Sequence, residues 1–364
     1  MKRVLTLFVL ICVTVCSFGQ NAKSGESGTT WYDGAEFPVF GKATDQTPSR
    51  YDRLPAAYEQ ISRKPVWQLG RNTAGLYIRF RSDSPYIKVA WTSRFGRSMN
   101  HMAATGVRGV DLYWLNDGRW EYARTGRPAA DKHTEFTMIS NMEPVEREWM
   151  LYLSLYDGVT DVKIGIDSKS HIDQPKVNSP AAGNQIVFYG TSIMQGGCVT
   201  RPGALATSMI SRKLDREVIN LGFSGNAFLD LEIAELMAQV ESPSLYVLDY
   251  VPNSTADKIN ELGEKFFYII RNAHPDVPII FVERPVYPHS ILDKKVKAET
   301  DSRNAAQKAL YQKLRKAGQK KLYYLESEKI YGEDREDTVD GTHATDLGAV
   351  RYVDAILPII KKAL

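Results

Sequence analysis

The hydrophobic pattern of this chain changes period near residue 180, and that change limits the folds open to it. Before it, apolar and polar residues alternate in short runs: Gly75–Phe80, Tyr86–Trp91, Val110–Trp114, Trp149–Leu155 and Val162–Ile166. A period of two puts successive side chains on opposite faces of a strand, and the Gly, Asp, Asn and Pro between runs supply turns. No long helical pattern interrupts them, so residues 20–180 are expected to form an all-β sandwich. After the change, strands at Gln185–Tyr189, Glu217–Leu221, Ser244–Asp249, Pro278–Val282 and Lys321–Leu325 alternate with helical stretches. These lie near Ala204–Leu214, Leu231–Val240, Asp257–Ala273 and Ala298–Lys316, and a last helix spans about Asp346–Lys361. Repeated β-α units build a parallel sheet with helices on both faces, a three-layer α/β domain over residues 183–364. Right-handed crossovers then bring every loop that follows a strand to one sheet edge.

A chain of 364 residues has room for these two units. Ahead of them, Lys2 and Arg3 precede an apolar run from Val4 to Cys16, and Ser17-Phe18-Gly19 supplies small residues for a peptidase. Residues 1–19 read as a signal peptide, which predicts a secreted or periplasmic protein. The run is short for a membrane span, and Val15 before Cys16 argues against lipoprotein anchoring. Asn21 to Thr30 reads as a flexible leader. The mature chain keeps one cysteine, Cys198, and therefore has no internal disulfide. A lone cysteine of this kind is usually a small buried hydrophobe. A formal charge of +3, without Lys and Arg clustered among aromatics, does not suit a nucleic-acid partner. His101, His133 and His171 are scattered without metal-ligand spacing and read as structural or exposed.

The loops after the strands carry the chemistry. The first strand breaks at Gly190 and presents Ser192 at once; Gly196 and Gly197 follow. After the second comes Gly222-Phe223-Ser224-Gly225-Asn226, after the third Asp249 to Ser254, and after the fifth Asp340-Gly341-Thr342-His343. A serine hydroxyl needs a base, and His343 has the right ordinary pKa. Asp340, three residues earlier, can hold the far ring nitrogen and fix the tautomer. Backbone N–H groups of Ser192 and Gly225 and the Asn253 amide are the expected oxyanion donors. Singly, each residue has an ordinary alternative. Gly222 and Gly225 suit turns, Asn253 an Asx-turn, and His343 a helix cap or the surface. Their convergence at one sheet edge favours chemistry. The glycines after Ser192 fit neither phosphate-loop nor dinucleotide patterns, and Glu283-Arg284 reads as a structural ion pair.

These loops resemble the four blocks of the SGNH/GDSL hydrolase superfamily over about Asn184 to Leu364. Gly190-Thr191-Ser192-Ile193 is similar to the first block, with Thr where Asp is usual. Asn220 to Gly225 is similar to the second and Asp340 to His343 to the fourth. Val251-Pro252-Asn253 stands in for the third, without its flanking Gly and Asp. Gly109-Val110-Asp111-Leu112-Tyr113 resembles the Gly-x-Asp-Leu-Tyr domain that precedes such hydrolases in secreted bacterial proteins. The resemblance implies a flavodoxin-like parallel sheet and removal of a small acyl group, often acetate, from an acylated carbohydrate. It implies no metal and no organic cofactor. The rivals are a lipase, lysophospholipase or thioesterase of the same superfamily, and an inert glycan-binding protein.

Overall fold

The computed structural model describes residues 28–364. The expected signal peptide and most of the expected leader lie outside the described residues. Thr29 and Thr30 do not belong to a leader: they open the first strand and pair with Asp167 and Ile166.

The strands of the first half are β1 (Thr29–Asp33), β2 (Val39–Phe40), β3 (Tyr77–Ser82), β4 (Ile87–Ser93), β5 (Val110–Asn116), β6 (Arg119–Gly126), β7 (His133–Ile139), β8 (Arg147–Tyr152), β9 (Val159–Asp167) and β10 (Ile172–Asp173). They form two antiparallel sheets, ordered β1-β9-β4-β7 and β10-β3-β8-β5-β6, with β2 beside β3. Inward residues of both, among them Ile78, Phe80, Val89, Trp91, Leu112, Trp149 and Ile164, make one core, as expected of a sandwich. β6 and β7 escape the sequence pattern. Both are sheet edges, and charged or polar residues on their open faces blur the alternation.

The second half carries five parallel strands: β11 (Ala181–Gly190), β12 (Arg216–Gly222), β13 (Pro243–Asp249), β14 (Ile279–Val282) and β15 (Leu322–Leu325). Their order is β12-β11-β13-β14-β15, the flavodoxin-like order. Alternation along β11 divides the core. Val187 and Tyr189 face the helices Leu231–Ala238, Ala256–Ala273 and Lys294–Lys316, while Ile186 and Phe188 face Ala206–Leu214 and Asp346–Ala363. Among the described residues, no helix is long and apolar enough to cross a membrane.

The chain between β2 and β3 leaves the sandwich and packs on the α/β domain, burying Leu54, Tyr58, Val66 and Trp67 against the first of these faces. Arg53 goes deepest and is 1% exposed. Its guanidinium donates to the carbonyls of Asn72 (2.8 Å) and Leu69 (2.7 Å), and to Asn220 and Gly222 at the end of β12 (both 3.0 Å). Burial pushes this guanidinium down to about 9, still charged at neutral pH. A second tie uses the Gly-x-Asp-Leu-Tyr residues. The Asp111 carboxylate accepts from the Gly203 amide (2.7 Å) and Arg201 (3.0 Å), and Arg201 also donates to the Tyr113 hydroxyl (2.7 Å).

Hydrogen bonds to charged groups contribute about 1.5–3 kcal/mol each, so Arg53→Ala is expected to cost at least about 3 kcal/mol. Urea unfolding measures this, and a loss under about 1 kcal/mol would show that Arg53 does not fasten the domains.

Candidate active site

β11 is the strand where the sheet's winding reverses, and such switch points open a crevice at the carboxyl edge. Ser192 sits there as the first residue of the short helix Ser192–Gln195. Thr191 caps this helix, its Oγ1 accepting from the Ile193 amide at 3.3 Å, so Thr serves as the polar cap. The helix is pinned from β12: Asn220 Nδ2 donates to the Met194 carbonyl at 2.6 Å. Gly222 lets the two segments touch, because a Cβ there would lie 2.4 Å from the Gln195 nitrogen. Gln195, fully buried, accepts from the Ser224 amide at 2.9 Å and donates to Asn72 of the first domain at 3.1 Å.

The loop beyond β12 turns at Gly225, whose φ of +66° lies in the left-handed region and whose surroundings are open. The loop after β13 braces it: Asn253 Oδ1 accepts from the Ala227 amide at 3.2 Å, and Ser254 Oγ donates to the Ala227 carbonyl at 2.9 Å. That fixes the Asn253 side-chain amide through its oxygen. Among the described residues, none accepts from the Ser192 or Gly225 amide or from Asn253 Nδ2. The first-domain loop 153–158 adds Tyr156, whose hydroxyl donates to the Ser192 carbonyl at 3.1 Å and lies 3.4 Å from Ser224 Oγ.

Asp340 and His343 come together on one turn. Asp340 Oδ2 lies 2.7 Å from His343 Nδ1, while Oδ1 accepts from the His343 and Thr342 amides at 2.8 and 3.0 Å. Burial alone would raise the Asp340 carboxyl, but these hydrogen bonds outweigh it and hold it at about 2. Asp340 is therefore ionised at neutral pH, which favours the Nδ1–H tautomer and leaves Nε2 as acceptor. This turn is stitched to the serine loop by the Cys198 amide, which donates to the Ala344 carbonyl at 2.7 Å.

Cys198 is buried, as the sequence suggests, and burial, helped by the Asp340 charge, pushes its thiol up to about 12. A thiol held there is no nucleophile at neutral pH. His101 departs from its sequence reading: its ring centroid lies 5.6 Å from that of His343. Glu283 and Arg284 also depart from theirs and do not pair. Glu283 accepts from the Tyr324 hydroxyl (2.6 Å) and the Ser327 amide (2.8 Å), and Arg284 lies over the Tyr287 ring. Tyr156 and His101 carry no local signal, because only the domain packing brings them to the crevice.

Residues 183–361 match the model of the GDSL-like lipase/acylhydrolase family, and residues 29–172 match the GxDLY model, the N-terminus of SGNH-hydrolase-type esterases. A Bacteroides ovatus structure assigned to the GDSL-like lipases is 33% identical, with a TM-score of 0.88 over 92% of this chain and 98% of its own. A salicylyl-acyltransferase from a tetracycline biosynthetic pathway is 16% identical, with a TM-score of 0.74 over 92% and 97%. A family two carbohydrate esterase from Cellvibrio japonicus is 10% identical, with a TM-score of 0.57 over 92% and 98%. The last two show a shared fold. Comparison with curated proteins gives no match.

Asp249 ends β13 beside Gly190 and is 2% exposed, with Tyr352 donating to its Oδ2 at 2.8 Å. Burial pushes its carboxyl from 3.8 up to about 7, against the pull of that hydrogen bond. A raised folded-state pKa means that the proton stabilises the fold. The contribution is complete below 3.8 and is lost as pH rises through about 7. Asp249→Asn, which keeps the shape without the charge, is expected to raise Tm by a few degrees at about pH 8.5 and by clearly less at about pH 5, where only part of the contribution has been lost. Thermal melts at both pH values check this; an equal shift at both would place the effect in packing rather than ionisation.

Proposed function

This chain belongs to the GDSL-like lipase/acylhydrolase family, an ester-hydrolysing enzyme by that membership, and with that as the premise we propose an exported serine esterase that removes small acyl groups, acetyl foremost, from an oligo- or polysaccharide. The observation that carries the reading is the Asp340–His343 pair, at 2.7 Å, on a turn stitched to the serine loop, beside the Ser192, Gly225 and Asn253 donors that find no acceptor among the described residues.

In this reading Ser192 Oγ attacks the ester carbonyl carbon and its proton passes to His343 Nε2. Asp340 keeps the ring oriented and stabilises the imidazolium. The developing oxyanion takes the Ser192 and Gly225 amides and Asn253 Nδ2, all held in place before reaction. Collapse expels the alcohol, which takes the proton from His343. Water then attacks the acyl-enzyme carbonyl with His343 as base. The carboxylic acid leaves and Ser192 Oγ recovers its proton.

The acyl and glycan parts draw on the crevice. A cleft of about 410 Å³ lies between the domains beside Ser224, lined by Leu69, Arg97, Met99, Tyr156, Ser224 and Asn226 among others. Its lining is mostly apolar, through Pro65, Leu69, Met99 and the Tyr156 ring, with Arg97, Ser224 and Asn226 as polar points, which suits the acyl part of a substrate. The two-domain layout shared with family two carbohydrate esterases supports the glycan part. One observation favours a lipid ester instead: the segment that sets His289 against Gly341 also carries Ile291 (50% exposed) and Leu292 (88%), and Val339 (47%) precedes the Asp340 turn.

Hydrolysis of 4-nitrophenyl acetate, butyrate and octanoate separates these readings. The expected outcome is fastest turnover of acetate; a preference for octanoate would transfer the proposal to lipid esters. Ser192→Ala is expected to lower kcat by about 10⁴-fold or more, and wild-type activity in that variant would overturn the assignment. Asn253→Ala, removing one oxyanion donor, is expected to cost about 10²–10³ in kcat.

A further inference from the structure

The esterase reading leaves His101 and Cys198 without a task, although both adjoin His343. One ring nitrogen from each histidine and Cys198 Sγ lie within 4.8 Å of one another. We propose that His101, Cys198 and His343 form a binding site for a borderline-soft divalent cation of the zinc class, and that its occupation switches the esterase off. The switch rests on the role of His343 as base; the cation site itself does not.

Three features argue for the site. The donor set is two imidazoles and a thiol, which suits zinc and its neighbours and not magnesium or calcium. Both rings are also prepared for ligation. His343 Nδ1 faces Asp340 Oδ2 at 2.7 Å, and His101 Nδ1 faces Asn100 Oδ1 at 2.9 Å. An oxygen acceptor on Nδ1 keeps the proton there and presents the Nε2 lone pair, as the outer partners of metal-bound histidines do. Finally, the parts have unequal freedom. Cys198 is buried and its backbone is tied to Ala344, whereas His101 is half-buried on the loop between β4 and the next helix. Tetrahedral zinc with bonds of about 2.0–2.3 Å spaces its donors about 3.3–3.8 Å apart, so the site closes by about 1 Å, a shift the His101 loop can supply.

Binding moves no electrons. Cys198 Sγ releases its proton to solvent as the metal–sulfur bond forms, and each imidazole donates an existing lone pair. The lone pair taken from His343 is the one that would accept the Ser192 proton, so a bound cation and a working base exclude each other. Three protein donors leave the fourth position to water.

The test uses the full mature protein stripped of metal. Zinc chloride is titrated against 4-nitrophenyl acetate hydrolysis, with EDTA added afterwards. Reversible inhibition is expected, with His101→Ala and Cys198→Ala hydrolysing at the wild-type rate without metal. The zinc concentration for half-inhibition should rise by about 10–100-fold or more in each variant. Cobalt(II) binding gives a second readout independent of turnover: a thiolate-to-cobalt absorption band in the wild type, lost in Cys198→Ala. If no ester is turned over, the cobalt band still decides the site while the esterase reading fails by itself. If Cys198→Ala does not fold, His101→Ala carries the comparison. Equal zinc potency in wild type and variants, or no cobalt–thiolate band at excess metal, overturns the proposal.

Discussion

The architecture depends on one buried cation. Taking a guanidinium out of water is costly, and among the described residues no carboxylate pairs with Arg53 to offset the cost. Four backbone carbonyls do so instead, two from the Leu69–Asn72 segment and two from the end of β12. The Leu69 carbonyl also accepts from the Asn72 amide at 3.0 Å, so at that end Arg53 adds to an existing turn and joins it to the end of β12. It thereby sets where β12 stops, and the Ser224–Gly225 loop begins immediately beyond that stop.

The crevice is held by buried polar side chains rather than by loop rigidity. Asn220 and Gln195 are fully buried, and each links segments far apart in sequence. Such networks rigidify as their members are satisfied, and here the Asn220 and Gln195 bonds are made while Asn72 Nδ2 has no partner among the described residues. Beside them the Ser192 and Gly225 amides and Asn253 Nδ2 find no acceptor among the described residues. An arrangement of this kind has met its ordering cost during folding, which is what stabilising a transient charge requires.

Much of this was legible in the chain. Strand segments with both faces buried, such as Ile186–Tyr189 of β11 and Leu245–Leu248 of β13, read clearly because every residue is apolar or aromatic, whereas the part-exposed Ala181–Asn184 of β11 did not; Asp340 and His343 read clearly because three residues separate them. Edge strands β6 and β7 did not, since half their residues face water and their pairing is one-sided. Arg53, Tyr156 and His101 were illegible for a different reason. Each is an ordinary residue in an ordinary stretch, and its place follows from how two domains pack, which local periodicity does not encode. The Gly-x-Asp-Leu-Tyr stretch is visible as a pattern, but only the structure shows Asp111 and Tyr113 as a clasp on Arg201 and Gly203.

Tyr156 belongs to the loop between β8 and β9 of the sandwich, yet its hydroxyl rests on the carbonyl of Ser192. The sandwich is therefore not a detachable cassette. A chimera that joins this α/β domain to a foreign β-sandwich keeps Ser192, Asp340 and His343 but loses the hydroxyl beneath the serine and the Arg53 clamp. Recombination between the halves therefore preserves the crevice only with partners that carry both contacts.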